Sequence, residues 1–292
     1  MESILPSQPE SYKPLIWRSL LLYRRGFSKV VLFSFLLAIT TFIPRIMSDV
    51  IGQDLFTTLE PLSPYRLWLI VVDIAALIFF VALLWHMHCV MRNKHEPFIE
   101  DFTVGAKKSL YVFIAAIIQS AIVFAFSLIV YGLLFLLHHF QVLFINSLPG
   151  IIFTTAIFFG QFLLLMYVST LFIFMIPLIA IENKGIFQAI ETSVLLGWNH
   201  WWRIFSTQLT PWIFYIVLLI IVKYAFGVDI HIYFTKKVNF NIWATTLNIG
   251  LFTLFAPWVA ALLVTQLKDL ELRKKTCPKT TKKTQITTLH AS

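Results

Sequence analysis

The sequence predicts an all-α polytopic membrane protein with six transmembrane helices and three cytoplasmic interfacial amphipathic helices. The chain is 59% hydrophobic and only 13% charged, whereas soluble domains carry about a quarter charged residues. Its apolar residues form long runs, and a run of roughly 18 or more is typical of a membrane span. Its basic residues lie mostly in the segments that the six runs would place on one side of the membrane, as in multi-pass proteins.

The predicted membrane domain covers residues 29–266. Its six spans lie at about 29–45, 66–91, 110–137, 151–181, 205–226 and 242–266. The fourth span would be roughly 46 Å long at a helical rise of about 1.5 Å per residue, which exceeds the hydrocarbon thickness of about 30 Å. We therefore expect this span to tilt, to bend or to project past the interface, and Gly160 and Pro177 are the candidate bend sites.

Three amphipathic segments, 14–25, 97–105 and 186–197, precede the first, third and fifth spans. We expect each to lie in the headgroup plane as a separate short helix. Gly26, Gly105 and Gly197 are the expected helix ends. The first of these helices belongs to a cytoplasmic N-terminal segment, residues 1–28. Residues 267–292, rich in Lys and Thr, are expected to form a basic, disordered cytoplasmic tail.

The positions of the Lys and Arg residues predict that both chain ends face the cytoplasm. Most of the 23 basic residues lie before the first span, between spans two and three or four and five, and after the sixth. Six spans, an even number, agree with this orientation. The net charge of +9 follows from the same bias, so we expect membrane phospholipids, and no nucleic acid, as partners.

Asp73 is the acidic residue deepest inside a predicted span, where an unpaired charge is costly. It could form a structural ion pair with Lys223 or a neutral hydrogen bond, serve as a proton- or ion-coupling site, or face the outer leaflet. Three polar residues in other spans, Gln119, Gln161 and Asn248, could line one cavity, or hydrogen-bond between helices.

Basic and aromatic residues near the predicted inner surface are candidates for contact with lipid headgroups. They are Arg18, Arg24, Arg25, Lys107, Lys108, Trp198, Trp201, Trp202 and Arg203.

The sequence predicts no catalytic, cofactor or metal site. His86 and His88 would diverge by about 200° on a helix, so we interpret them as interface histidines, like His138 and His139. Phosphate-binding loops and the hydrolase motifs HExxH and GxSxG are missing from the sequence. A non-enzymatic role is therefore favoured.

The stretch from Leu148-Pro149-Gly150 through Pro177, Glu182 and Gly185 to Gly197-Trp198, together with VGAKKSLYVF before the third span, resembles the YciC-like bacterial inner-membrane proteins. The membrane region attached to some glycerophosphodiester phosphodiesterases is similar. The resemblance covers about residues 90–265 and implies a six-span protein of the bacterial inner membrane. The soluble phosphodiesterase domain has no counterpart in this chain, so that activity is not implied.

These observations favour a membrane-organising protein, or an accessory protein of envelope and lipid homeostasis that works with another envelope protein. The alternative is a small transporter or channel with a polar intramembrane cavity around Asp73. A transporter needs a water-accessible path from Asp73 to a surface, whereas a scaffold would be tightly packed there.

Overall fold

The computed structural model describes residues 5–6, 8–51, 64–94, 97–139, 148–227 and 242–276. The predicted loop at 227–240 therefore lies, beyond Gly227, outside the described residues. Within these ranges the chain forms eight α-helices and no strand. They are α1 (Tyr12–Ile51), α2 (Pro64–Met91), α3 (Phe98–His139), α4 (Leu148–Phe172), α5 (Met175–Glu182), α6 (Ile186–Gly197), α7 (Trp201–Phe226) and α8 (Ile242–Thr276).

Six candidate spans in these helices are long and apolar enough to cross a membrane. They are α1, α2, α3, α4 with α5, α7 and α8. This confirms the predicted all-α, six-helix membrane architecture.

Two of the three predicted interfacial helices are not separate. Segments 14–25 and 97–105 are the first turns of the continuous helices α1 and α3. Gly26 and Gly105 do not end helices; they allow close helix packing. A Cβ added at Gly105 would lie 2.6 Å from the carbonyl oxygen of Ile78, and one at Gly26 would lie 3.1 Å from the sulfur of Met87.

The fourth span breaks between α4 and α5, at Ile173 and Phe174. Pro177 has no N–H group, so it cannot donate the helical hydrogen bond to the carbonyl of Ile173, four residues earlier. The predicted bend at Pro177 therefore occurs one turn upstream. Gly160, the other predicted bend site, lies inside the continuous α4.

The third amphipathic segment is a separate helix, α6, with the predicted bounds 186–197. It follows the turn at Asn183, whose left-handed φ of 55° ends α5; asparagine tolerates this conformation. α6 packs closely on the end of α4, since Ser193 Oγ donates to the carbonyl of Leu171 at 2.6 Å. A Cβ on Gly197 would approach the Cα of Leu171 to 3.2 Å.

α8 contacts α1, α2, α5, α6 and α7, and it packs most extensively against α1. Ser34 Oγ of α1 donates to the carbonyl of Thr253 at 2.6 Å, and Trp258 Nε1 donates to Ser19 Oγ at 3.1 Å. Such interhelical hydrogen bonds and close packing hold helices together in lipid, where the surrounding hydrocarbon is as apolar as leucine.

The start of the predicted disordered tail is helical. α8 continues past residue 266 to Thr276, because Leu267 and Leu270 are buried in the core and Asp269 is fully buried. The prediction of disorder is thus wrong for 267–276, and residues 277–292 lie outside the described part of the chain.

Candidate functional site

The segment before α1 meets the last turns of α8, and we call this side of the bundle the basic end. The Glu10 N–H donates to Asp269 Oδ1 at 2.7 Å. Arg203 donates to the Glu10 carbonyl at 2.6 Å and to Asp269 Oδ2 at 3.0 Å. Arg273 Nε also donates to Asp269 Oδ2, at 3.0 Å. A fully buried carboxylate therefore joins α7, α8 and the N-terminal segment.

A second charged cluster at the basic end joins α5 to α8. Lys268 Nζ lies 2.9 Å from Glu182 Oε1 and 2.9 Å from Glu271 Oε2. Lys184 pairs with the other oxygen of Glu182 at 3.1 Å. These contacts link the end of α5 and the turn after it to the last turns of α8.

The first turns of α3 are fixed to α2 and α5. His86 Nδ1 lies 2.6 Å from Asp101 Oδ2, and both side chains are buried. Lys108 Nζ donates to the Ala180 carbonyl at 2.6 Å and to Asn183, and it lies 5.2 Å from the ring centroid of Trp85. These polar contacts hold α3 at the basic end.

The interpretation of His86 and His88 as interface histidines is wrong, because they are only 3% and 4% exposed. His86 is a buried hydrogen-bonding partner of α3. Among the described residues, no group of three or more His, Cys, Asp or Glu side chains could hold a metal ion.

The predicted lipid-interface residues divide into two groups. Arg24, Arg25 and Lys107 are exposed, as are Trp198 and Trp202, at 59% and 62%. The other four make contacts within the protein: Arg18 pairs with Glu10, Arg203 with Asp269, Lys108 binds the end of α5, and the Trp201 ring lies 5.4 Å from that of Tyr167.

Asp73 and Lys223 form no ion pair in the described structure. Asp73 lies on α2, whereas Lys223 lies on α7, which packs chiefly against α8. Gln119, Gln161 and Asn248, for which a shared cavity was one of two alternatives, do not line the cavity that Asp73 faces.

A buried amide pair links α7 to α8 instead. Gln208 Nε2 donates to Gln266 Oε1 at 2.6 Å. The sequence does not predict this pair, because the two residues lie near the ends of different spans. Both residues lie at a similar distance from the basic end, and this similarity is the signal from which the pair could have been predicted.

Asp73 lines an open cleft between α1, α2 and α3 with a volume of about 900 Å³. Its polar lining residues are Asp73 and Ser120. Phe80, Phe113 and Phe124 supply aromatic walls, and the other lining residues are Ala, Leu and Ile. The cleft stays open because alanines on both α2 and α3 line it, and a methyl group fills little of the gap between two helices.

The chain matches no protein-family model, no curated protein and no solved structure.

Proposed function

We propose that this chain is a non-enzymatic protein of the bacterial inner membrane that contacts and organises phospholipid as an accessory component of lipid homeostasis. The observation that carries the proposal is the two-sided character of the segment formed by α6, the turn after it and the first residues of α7. Ala189 and Ser193 face the bundle, whereas Phe187, Trp198 and Trp202 are 79%, 59% and 62% exposed. Exposed aromatic side chains of this kind, next to the exposed polar residues Gln188 and Glu191, suit the boundary between headgroups and acyl chains.

Exposed basic side chains support contact with anionic headgroups. Arg24, Arg25 and Lys107 lie near the starts of α1 and α3, at the same end of the bundle as α6. Each such charge near an anionic surface contributes about 1 kcal/mol to binding. The proposed orientation places the basic end on the cytoplasmic side, in line with the YciC-like resemblance.

The arrangement of the remaining charges favours a structural role for them. Asp269, Glu182 and Lys268 each bridge different elements of the fold. Groups engaged in this way hold helices in place, which is what a scaffold requires.

Lipid retention tests the proposal. The protein is purified in mild detergent, and native mass spectrometry counts the phospholipids that remain bound. We expect the double variant Phe187→Ser, Trp202→Ser to retain fewer anionic lipids than the unmodified protein. Phe159→Ser on α4, whose side chain is 61% exposed, is the matched control. Equal lipid loss from both variants would contradict a specific role for α6. The same preparation shows whether an envelope protein co-purifies.

The cleft supports a second candidate function, a small transporter that uses Asp73. Transport requires that the cleft become accessible to water from each side of the membrane. Ser120→Cys, in a chain lacking Cys89 and Cys277, would then react with a membrane-impermeant thiol reagent added to either side of sealed vesicles. Reaction from neither side would exclude this function.

A further inference from the structure

We propose that the cleft between α1, α2 and α3 is a binding site for a hydrophobic cation, whose positive charge pairs with Asp73 and whose apolar body packs between the phenylalanines. This inference shares its site with the second candidate function, but binding alone does not require transport.

The side chain of Asp73 is exposed in the open cleft, and the described protein provides no partner for its carboxyl group. Asp73 forms no hydrogen bond or ion pair with another residue that the structure describes. Lys223, the cation that the sequence suggests, lies on a different helix, α7. A charged carboxylate inside a span is costly without a partner. A cation entering the cleft would supply one.

The walls of the cleft favour a cation with an apolar body. Phe80, Phe113 and Phe124 contribute aromatic rings to the lining, and the faces of such rings attract cations. The cleft volume of about 900 Å³ lies within the range of small-molecule sites, about 300–1,000 Å³. A small inorganic ion would leave most of this space and most of these walls unused.

The lining also argues against a phospholipid headgroup. None of the residues that line the cleft is basic, so a phosphate group would lose its water without gaining a charged partner. Burying an ion in this way is strongly unfavourable. Ser120, the other polar residue of the lining, offers one hydroxyl group, which does not balance a phosphate charge. The preferred ligand therefore carries a net positive charge.

A pair of probes with the same shape and opposite charge tests the proposal. Tetraphenylphosphonium is a cation and tetraphenylborate is its anionic counterpart. Each is titrated into the full-length protein in nanodiscs, and binding to empty nanodiscs is subtracted. We expect saturable binding of tetraphenylphosphonium alone. Saturable binding of both probes, or of neither, would overturn the proposal, and this comparison needs no variant.

Variants locate the site. Asp73→Asn should weaken tetraphenylphosphonium binding by about tenfold or more, since removing one partner of a desolvated charge pair is costly. Asp73→Glu retains the charge and should retain binding, whereas Ala116→Phe should reduce it by filling the cleft. Gly132→Ala, at a position on α3 with no atom within 4 Å of the added carbon, is the control. Unchanged affinity in Asp73→Asn would overturn the assignment.

Competition identifies the kind of head group. Dodecyltrimethylammonium should displace tetraphenylphosphonium more strongly than the zwitterion dodecylphosphocholine. Equal displacement would show that phospholipid-like heads enter, and would overturn the choice of a net cation. Neither result depends on α6, so a failure here is distinguishable from a failure of the lipid-retention experiment.

Discussion

Helices α8 and α3 are both long and apolar, yet they occupy different environments. In the most apolar 18-residue stretch of each candidate span, half of the residues are buried in α8 but only 11% in α3. α8 forms hydrogen bonds and ion pairs with α1, α5 and α7 along much of its length. The polar contacts of α3 described above lie in its first turns. Hydropathy thus identifies a span, whereas polar contacts decide how deeply it is embedded.

The largest effect is expected where α8 closes the basic end. Asp269→Ala should destabilise the protein by about 3 kcal/mol, at the lower end for breaking a buried ion pair, because it leaves two partly buried arginines without their shared carboxylate. Thermal unfolding in detergent measures the change. Glu191→Ala on the exposed face of α6 should change the stability little. A similar loss of stability in both variants would show that the buried contacts of Asp269 do not stabilise the protein.

Substitution of Gly105 should give the next largest loss of stability, because this residue sets the distance between α2 and α3. Its added Cβ would lie 2.6 Å from a backbone carbonyl, so Gly105→Ala should cost about 1–3 kcal/mol through overpacking. Gly132→Ala lies on the same helix in open space, and alanine favours the helix there. The same unfolding assay should show no loss for Gly132→Ala.

The His86–Asp101 pair should have a smaller and more local effect. Asp101→Asn keeps a hydrogen-bonding group but removes the charge that faces His86, which should cost about 1 kcal/mol. Hydrogen exchange should then increase in the first turns of α3 more than in α8. Uniformly faster exchange would mean that the pair stabilises the whole bundle.

His200, in the turn before α7, should give the smallest effect. Burial lowers the pKa of His200, and the nearby Arg273 and Arg203 charges lower it further. The folded protein therefore favours the neutral ring. The contribution of His200 to the free energy of unfolding is complete above the ordinary pKa of 6.5 and decreases as the pH falls below it. His200→Gln should reduce the difference in unfolding temperature between pH 8 and pH 5. An unchanged difference would assign the acid sensitivity to other groups.

Periodicity and composition predict where the helices lie better than they predict which helices pack against each other. The six spans, α6 and the effect of Pro177 follow from local sequence. The spans depend on continuous runs of apolar residues, α6 on helical spacing, and the bend on the N–H group that Pro177 lacks. The contact of Asp269 with Arg203 joins residues 66 positions apart, and no local pattern specifies it. Gly26 and Gly105 were expected to end helices, because a glycine that ends a helix and one that lies against a neighbouring helix look the same in sequence. The ion pair between Asp73 and Lys223, one of the alternatives that the sequence leaves open, is not formed, because depth along a span does not show which helices are adjacent.

The contact between Glu10 and Asp269 also bears on biosynthesis. These residues are 259 positions apart, and at about 5–20 residues per second a ribosome needs roughly 13–50 s to make the chain between them. During that interval α1 lies in the bilayer without the helix that covers its serines, and Asp269 has yet to be translated. The contacts of α1 are therefore completed only after α8 has been made, and until then lipid or the insertion machinery must surround α1.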